Sequence, residues 1–169
     1  MSDLYTEVIV KKKETTADMI KKVALIAGTV LSAAAFLFTK LGLIAVVLLI
    51  AFVAADYFLL PSLNVEYEYL YVNGDLDVDK IMSKQKRKRV YSMDIKTLEI
   101  LAPSDSHALD SYNRNKDLKS FDFSSRNAGK KTYTMIVKGE KGLEKVKFEP
   151  NDVILKDMKR VAPREVNLQ

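Results

Sequence analysis

The sequence has no cysteine, no tryptophan and a single histidine, His107. Without cysteine there are no disulfides, thiol nucleophiles or thiolate metal sites, a usage that suits a reducing compartment. One imidazole is too few for the usual zinc sites, which take several nitrogen or sulfur ligands. Glycine-rich phosphate loops are missing too: "NGD", "NAGK" and "KGEKG" read as turns, and there are no repeats or low-complexity tracts. His107 lies in "SDSHALDSY" with Ser104, Asp105, Ser106, Asp110 and Ser111 nearby. These are ordinary loop residues, and a catalytic triad is defined by spatial geometry that closeness in sequence does not supply. No catalytic residue, metal or cofactor is expected. The formal charge of +5 over 169 residues is modest, so where the charge lies matters more than its sum.

Charge is scarcest in the run Val23 to Leu60, where only Lys40 and Asp56 are ionisable. The run is about twice the ~20 residues one helix needs to cross a ~30 Å hydrocarbon core. Lys40 and Gly42 divide it into two helices, about 23–39 and 42–60, with a turn near 39–42, the first slightly short and the second ended by Pro61. Two helices satisfy their backbone groups internally, as lipid demands, so residues 23–60 are expected to form an antiparallel transmembrane hairpin. A cleaved signal peptide is the plain alternative for the first helix. Against it, about twenty residues with Asp3, Glu7, Glu14 and Asp18 precede that helix, and a second apolar run follows at once. Lys11, Lys12, Lys13, Lys21 and Lys22 precede the hairpin and a basic decade follows it, whereas the connecting turn carries only Lys40. By the positive-inside bias, both termini belong in the cytoplasm of a plasma-membrane protein.

Inside the hairpin, Ala24, Gly28 and Ser32 make a small-residue stripe, and Ala51 and Ala55 offer a matching one. Packing of the two helices on each other is the plain reading; association of two copies is the other. Asp56 counts as level with Lys22, so an interfacial ion pair with a snorkelling Lys22 is expected in preference to an ion path.

From Val65 the apolar period changes from helix to strand. "VEYEYLYV" alternates, "NGD" at Asn73–Asp75 is a hairpin turn, and "LDVDKIM" returns. "RVYSMDI", "TLEIL", "LKSFDFS", "TYTMIVKG" and "LEKVKFE" read as further strands, with residues 103–117 as loop. "PNDVILKDMKRVAP" is a capped amphipathic helix, about 151–161, with Ile154, Leu155, Met158 and Val161 on its apolar face. Residues 64–169 therefore form a domain of six or seven antiparallel strands closed by one helix. The tail, residues 1–22, holds "LYTEVIVKKK", which alternates with Leu4, Thr6, Val8 and Val10 on one side. At 4–10 it either adds an edge strand to the domain or docks on it, or else stays disordered.

The order of elements over roughly 65–162 resembles the pleckstrin-homology-like fold, which in bacteria often follows a membrane hairpin. "VEYEYLYVNGDLDVDKIMSKQKRKRV", "YTEV" and the hairpin resemble small two-helix membrane proteins of clostridial bacteria. The resemblance implies architecture and attaches no activity. Pleckstrin-homology domains that bind phosphoinositides usually use basic residues in the loop between their first two strands. Here that loop is the acidic "NGD", so the headgroup site does not carry over.

The densest positive charge is "SKQKRKRV", with Lys84, Lys86, Arg87, Lys88 and Arg89. Two strands of nearly equal length, at ~3.3 Å per residue, lead out from the hairpin and back. This turn is therefore expected near the point where the chain leaves the membrane. Juxtamembrane Lys and Arg contribute ~1 kcal/mol each toward anionic lipid. Three readings stay open: a topology signal on a solvated turn, contact with anionic lipid, or an acidic partner. Nucleic acid is not expected, because only Tyr91 lies near the charge and base stacking needs interleaved aromatics. The function expected is a membrane-tethered, non-enzymatic binding or scaffold module with a protein partner. The alternative is an accessory subunit of a membrane transporter or envelope complex.

Overall fold

A computed structural model describes residues 4–40, 42–115, 117–140 and 142–168. The chain divides into two compact units: residues 14–65 with 82–86, and residues 1–13, 66–81 and 87–169.

The first unit is built on helices α1 (Thr16–Phe38) and α2 (Leu43–Leu63). Helix α1 starts well before the expected Val23 because Thr15 caps it: the Asp18 amide donates to Thr15 Oγ1 at 3.2 Å, and the Thr15 amide to the Asp18 carboxylate at 3.1 Å. This reciprocal capping box leaves only the orphan donors of a helix end that solvent can reach. At 23 and 21 residues the helices are about 35 and 32 Å long at 1.5 Å per residue, so neither is short for a crossing. Pro61 lies within the last turn of α2, which runs on to Leu63. The expected turn near 39–42 includes Leu41, outside the described residues.

Little of either helix is covered: 6% of the most apolar stretch of each is buried. The seam between them is narrow. Ser32 and Ala45 are buried, and a Cβ on Gly28 would collide with the Phe52 ring. Glycine is thus required by close approach. The small-residue stripes are corrected in part. Gly28 and Ser32 lie in the seam and Ala55 is half-buried, but Ala24 and Ala51 are exposed. Their helical phase carries them past the contact line, and Phe52 occupies the space next to Gly28.

The second unit is a pair of four-stranded sheets. Strands β1 (Tyr5–Lys11), β2 (Val65–Val72), β3 (Asp75–Met82) and β4 (Lys86–Asp94) form one in that order. Strands β5 (Leu98–Pro103), β6 (Lys119–Asp122), β7 (Tyr133–Gly139) and β8 (Gly142–Phe148) form the other, in the order β5-β7-β8-β6. The tail resolves in favour of an edge strand: β1 pairs antiparallel with β2, Val8 opposite Tyr69 and Val10 opposite Tyr67. Its inward face is the one alternation singles out, with Val10 buried and Leu4 and Val8 packed on the core. Among the described residues the strands number eight with β1, and not all are antiparallel, because β6 runs parallel to β8.

The β2–β3 turn uses Asn73 at φ 49° and Gly74 at φ 105°, left-handed values that suit this dipeptide. Side chains from both sheets (Tyr69, Tyr71, Leu76 and Val78 facing Met135, Val146 and Phe148) share one core with Ile154 and Met158 of helix α4 (Asp152–Val161). Asn151 caps α4 by accepting from the Ile154 amide at 2.9 Å. Its inward stripe differs from the expected one: Val161 is exposed and Asp157 is buried, because Asp157 accepts from the Tyr71 hydroxyl at 2.8 Å and from Arg160 at 2.6 Å. Within residues 103–117, expected as loop, a 3-10 turn at His107–Leu109 and a short helix α3 (Asp110–Arg114) seat Leu109 against Ala102 and Ile136.

Candidate functional site

The basic run begins in the tight turn between β3 and β4. The Gln85 amide closes it on the Met82 carbonyl at 3.1 Å, with Ser83 at φ 48° and Lys84 at φ 58°. Two non-glycine residues held left-handed are costly unless their surroundings fix them. Ser83 is fixed at the end of α2: its amide donates to the Asn64 carbonyl at 2.8 Å and its hydroxyl to the Pro61 carbonyl at 3.4 Å. Within the helical unit, the turn carrying Lys84 and Lys86 is thus stitched to the last residues of the second apolar helix.

The remaining basic residues behave differently from one another. Arg87 pairs with Glu68, and its Nε lies 2.8 Å from Asp79; Arg89 lies 2.9 Å from Asp77 and 3.6 Å from Asp79. Glu68 and Asp79 are buried carboxylates, and buried charge is tolerated only when paired. The two arginines therefore neutralise an acidic ladder on β2 and β3. Lys84, Lys86 and Lys88 are exposed and make no ion pair among the described residues. The alternation of Glu66 with Glu68 and of Asp77 with Asp79, next to a strand reading "KRKR", was the signal for this pairing.

The expected interfacial pair of Asp56 with Lys22 does not form. Lys22 Nζ lies 2.6 Å from Glu14, which the earlier start of α1 brings within reach. Asp56 accepts instead from the Thr29 hydroxyl at 2.6 Å, across the helix seam.

In the β unit Tyr69 and Tyr71 of β2 are buried in the core and half-buried Tyr67 packs against it. Burial foremost pushes the phenols of Tyr69, Tyr71 and Tyr91 above the ordinary tyrosine range, with neighbouring carboxylates adding to it. The Tyr69 hydroxyl donates to the Phe123 carbonyl at 2.7 Å. His107 is exposed, its Nδ1 3.2 Å from Asp110. The serines around it are engaged locally: Ser104 with Thr134 at 2.9 Å, and Ser106 capping the Ala108 amide at 3.3 Å.

A two-sheet β-domain closed by a C-terminal helix, in a chain with two helices long and apolar enough to span a membrane, is an arrangement consistent with a PH-like protein associated with a membrane. The family model "Bacterial PH-like domain (DUF6106)" matches residues 2–168, and the chain belongs to that family. The match takes in β1 and both helices as well as the β-domain. Among curated proteins and solved structures nothing matches.

Proposed function

We propose that the protein is a membrane-tethered, non-enzymatic binding or scaffold module. Its helical hairpin anchors it in the plasma membrane, both termini are cytoplasmic, and the β3–β4 turn rests on anionic headgroups. The carrying observation is the pair of hydrogen bonds from Ser83 to Asn64 and Pro61, which ties the lysine turn to the end of an apolar helix. The exposure of large apolar side chains around both helices, from Val23 and Leu31 to Leu43 and Phe58, supports lipid as their surroundings. Pairing of β1 with β2 in one sheet supports a single side for both ends of the hairpin, and the flanking lysines favour the cytoplasm. With the arginines committed to carboxylates, the lipid term falls to three lysines, at most ~3 kcal/mol at ~1 kcal/mol each. That is enough to orient a tethered domain and too little to recruit one from solution.

The full chain, reconstituted in nanodiscs with an environment-sensitive fluorophore on Gln85→Cys, tests the reading. The probe is expected to shift to the blue in anionic discs relative to neutral ones. The shift should fade at high salt and vanish when Lys84, Lys86 and Lys88 become Gln. Identical spectra in both discs at low salt would remove lipid contact and leave the run as a topology signal on a solvated turn.

A further inference from the structure

The β unit carries two adjoining clefts, of about 460 and 390 Å³, lined by the loop between β6 and β7. Lys130, Thr132 and Lys147 line both, so they form a shared wall. The loop is pinned at each end. Ser125 donates its amide and its hydroxyl to buried Glu149, each at 2.7 Å, and the Thr132 carbonyl accepts from the Ser104 amide at 3.0 Å. Between these points Asn127 folds the loop on itself, its carbonyl taking the Lys130 amide at 3.0 Å and its Oδ1 the Gly129 amide at 3.3 Å. Those amides are spent on the turn, and the loop offers side chains instead. Four cations line the two clefts, Arg126, Lys130, Lys131 and Lys147, against the carboxylates of Asp105 and Asp122. Asp122 is already answered by Arg126 Nε at 3.0 Å and the Ser124 hydroxyl at 2.6 Å. The three lysines make no ion pair among the described residues. Lys147 is half-buried in β8, opposite Thr134, whose hydroxyl is engaged with Ser104 at 2.9 Å. A half-buried cation without a counter-charge is costly, and a bound anion removes that cost.

We propose that these clefts bind a ligand through a terminal phosphate, either a phosphate monoester or a diphosphate, held at the shared wall by Lys130 and Lys147 with Lys131 alongside. A terminal phosphate carries about two negative charges and three accepting oxygens, enough to engage several ammonium groups at one point. A phosphodiester has one charge and fewer free oxygens. Lysine serves such a group as a point charge on a flexible stem, without the planar fork that arginine needs. The cleft volumes fall in the ~300–1,000 Å³ range of small-molecule sites, which leaves room for the rest of the ligand. A nucleic-acid strand fits poorly, because it presents diesters and stacks on open aromatics; Tyr133, the one aromatic lining these clefts, is buried. The inference is independent of the membrane hairpin and of the lysine turn between β3 and β4.

The test uses the full chain in a neutral detergent at constant ionic strength, titrated in a calorimeter with pyrophosphate, glycerol 3-phosphate, dimethyl phosphate and a short polyglutamate. Pyrophosphate and glycerol 3-phosphate are expected to bind about tenfold or more tighter than dimethyl phosphate, the size of one charge-assisted hydrogen bond. Lys130→Gln and, independently, Lys147→Gln should each weaken both by about tenfold, whereas Lys156→Gln, an exposed change on α4, should leave them as they are. Should Lys147→Gln fail to fold, Lys130→Gln in the exposed loop carries the test alone. Two sources share this chemistry, and phosphatidic acid in nanodiscs separates them. A loss on Lys147→Gln that is larger for phosphatidic acid than for glycerol 3-phosphate supports the site with a lipid as its ligand; a larger loss for the soluble ester supports it with a free phosphorylated metabolite. Equal affinity for the diester and the terminal phosphates overturns the inference, as does binding untouched in the folded variants or weakened as much by Lys156→Gln. Polyglutamate bound more tightly than pyrophosphate overturns it in favour of an acidic protein partner. None of these results bears on the contact of Lys84, Lys86 and Lys88 with lipid, which the fluorophore at position 85 reads separately.

Discussion

At the scale of single residues, the five basic side chains of the β3–β4 run divide by what they face. Arg87 answers two buried carboxylates, Glu68 and Asp79, so Arg87→Gln leaves Glu68 without a counter-charge and Asp79 with only Arg89 at 3.6 Å. Breaking a fully buried pair costs ~3–5 kcal/mol; because the Arg87 side chain is 50% exposed, water screens part of this and ~1–3 kcal/mol is the expected loss. Lys84→Gln, Lys86→Gln and Lys88→Gln should each stay within ~0.5 kcal/mol, as exposed substitutions do. Thermal unfolding of the full chain in detergent checks both expectations. Adding Glu68→Gln and Asp79→Asn to Arg87→Gln should restore much of the loss, and a triple variant no more stable than Arg87→Gln would refute the pairing account. The buried tyrosines give a pH prediction. Burial raises the folded-state pKa of Tyr69, Tyr71 and Tyr91 above the ordinary 10.0. Folding therefore favours their neutral form, and their contribution is complete below about pH 10 and lost as pH rises beyond it. Tyrosinate absorbance should show these three of the eight tyrosines ionising only together with loss of the β-sheet circular dichroism. A smooth titration of all eight with the sheet intact would contradict their burial.

At the scale of elements, β1 is the piece whose removal is most informative. It contributes buried Val10 and half-buried Leu4 and Val8 to the core, and it covers the edge of β2 along Tyr5–Lys11. Stripped of it, residues 64–169 expose an unpaired edge and a gap in the core, a template for aggregation. That fragment is expected to aggregate on expression, and a peptide of residues 4–13 supplied in trans should restore a monomer by strand addition, as read by size-exclusion chromatography. A fragment that is monomeric alone and indifferent to the peptide would show β1 to be dispensable. The same strand illustrates what sequence makes legible. Alternation gave its inward face residue by residue, as it did for β2, because a period of two is a local property. The Asn151 cap of α4 and the "NG" turn were equally local. What escaped was settled by partners distant in sequence: the parallel pairing of β6 with β8, and Asp157 turned inward by Tyr71. At the candidate site the lysine turn could be brought to the helix end by counting strand residues. The pairing of Lys22 with Glu14, by contrast, depends on a capping box at Thr15 that the apolar run of residues 23–60 does not contain.

At the scale of the whole molecule, strand pairing and membrane topology constrain each other. Residues on either side of the helical hairpin, β1 and β2, are hydrogen-bonded neighbours in one sheet, so they share one aqueous compartment if the sheet is to form. A chain in which α1 and α2 both cross meets this condition, and one in which a single helix crosses does not. If both cross, the positive-inside bias of the lysines before α1 and of the lysine turn after α2 leads us to expect the cytoplasm as that compartment. Reporter fusions in a bacterial host read the result directly. A fluorescent protein that matures only in the cytoplasm, fused after Gln169, should be bright, and a phosphatase active only outside should be silent there. The same phosphatase fused after Lys40, with α2 removed, should become active, since α1 alone carries its C-terminal end across. If the phosphatase is active after Gln169, the domain faces outward and the flanking charge has been misread. If it is silent after both, α1 does not cross by itself, and the apolar helices would need another environment, such as a partner's surface, to cover the side chains they expose.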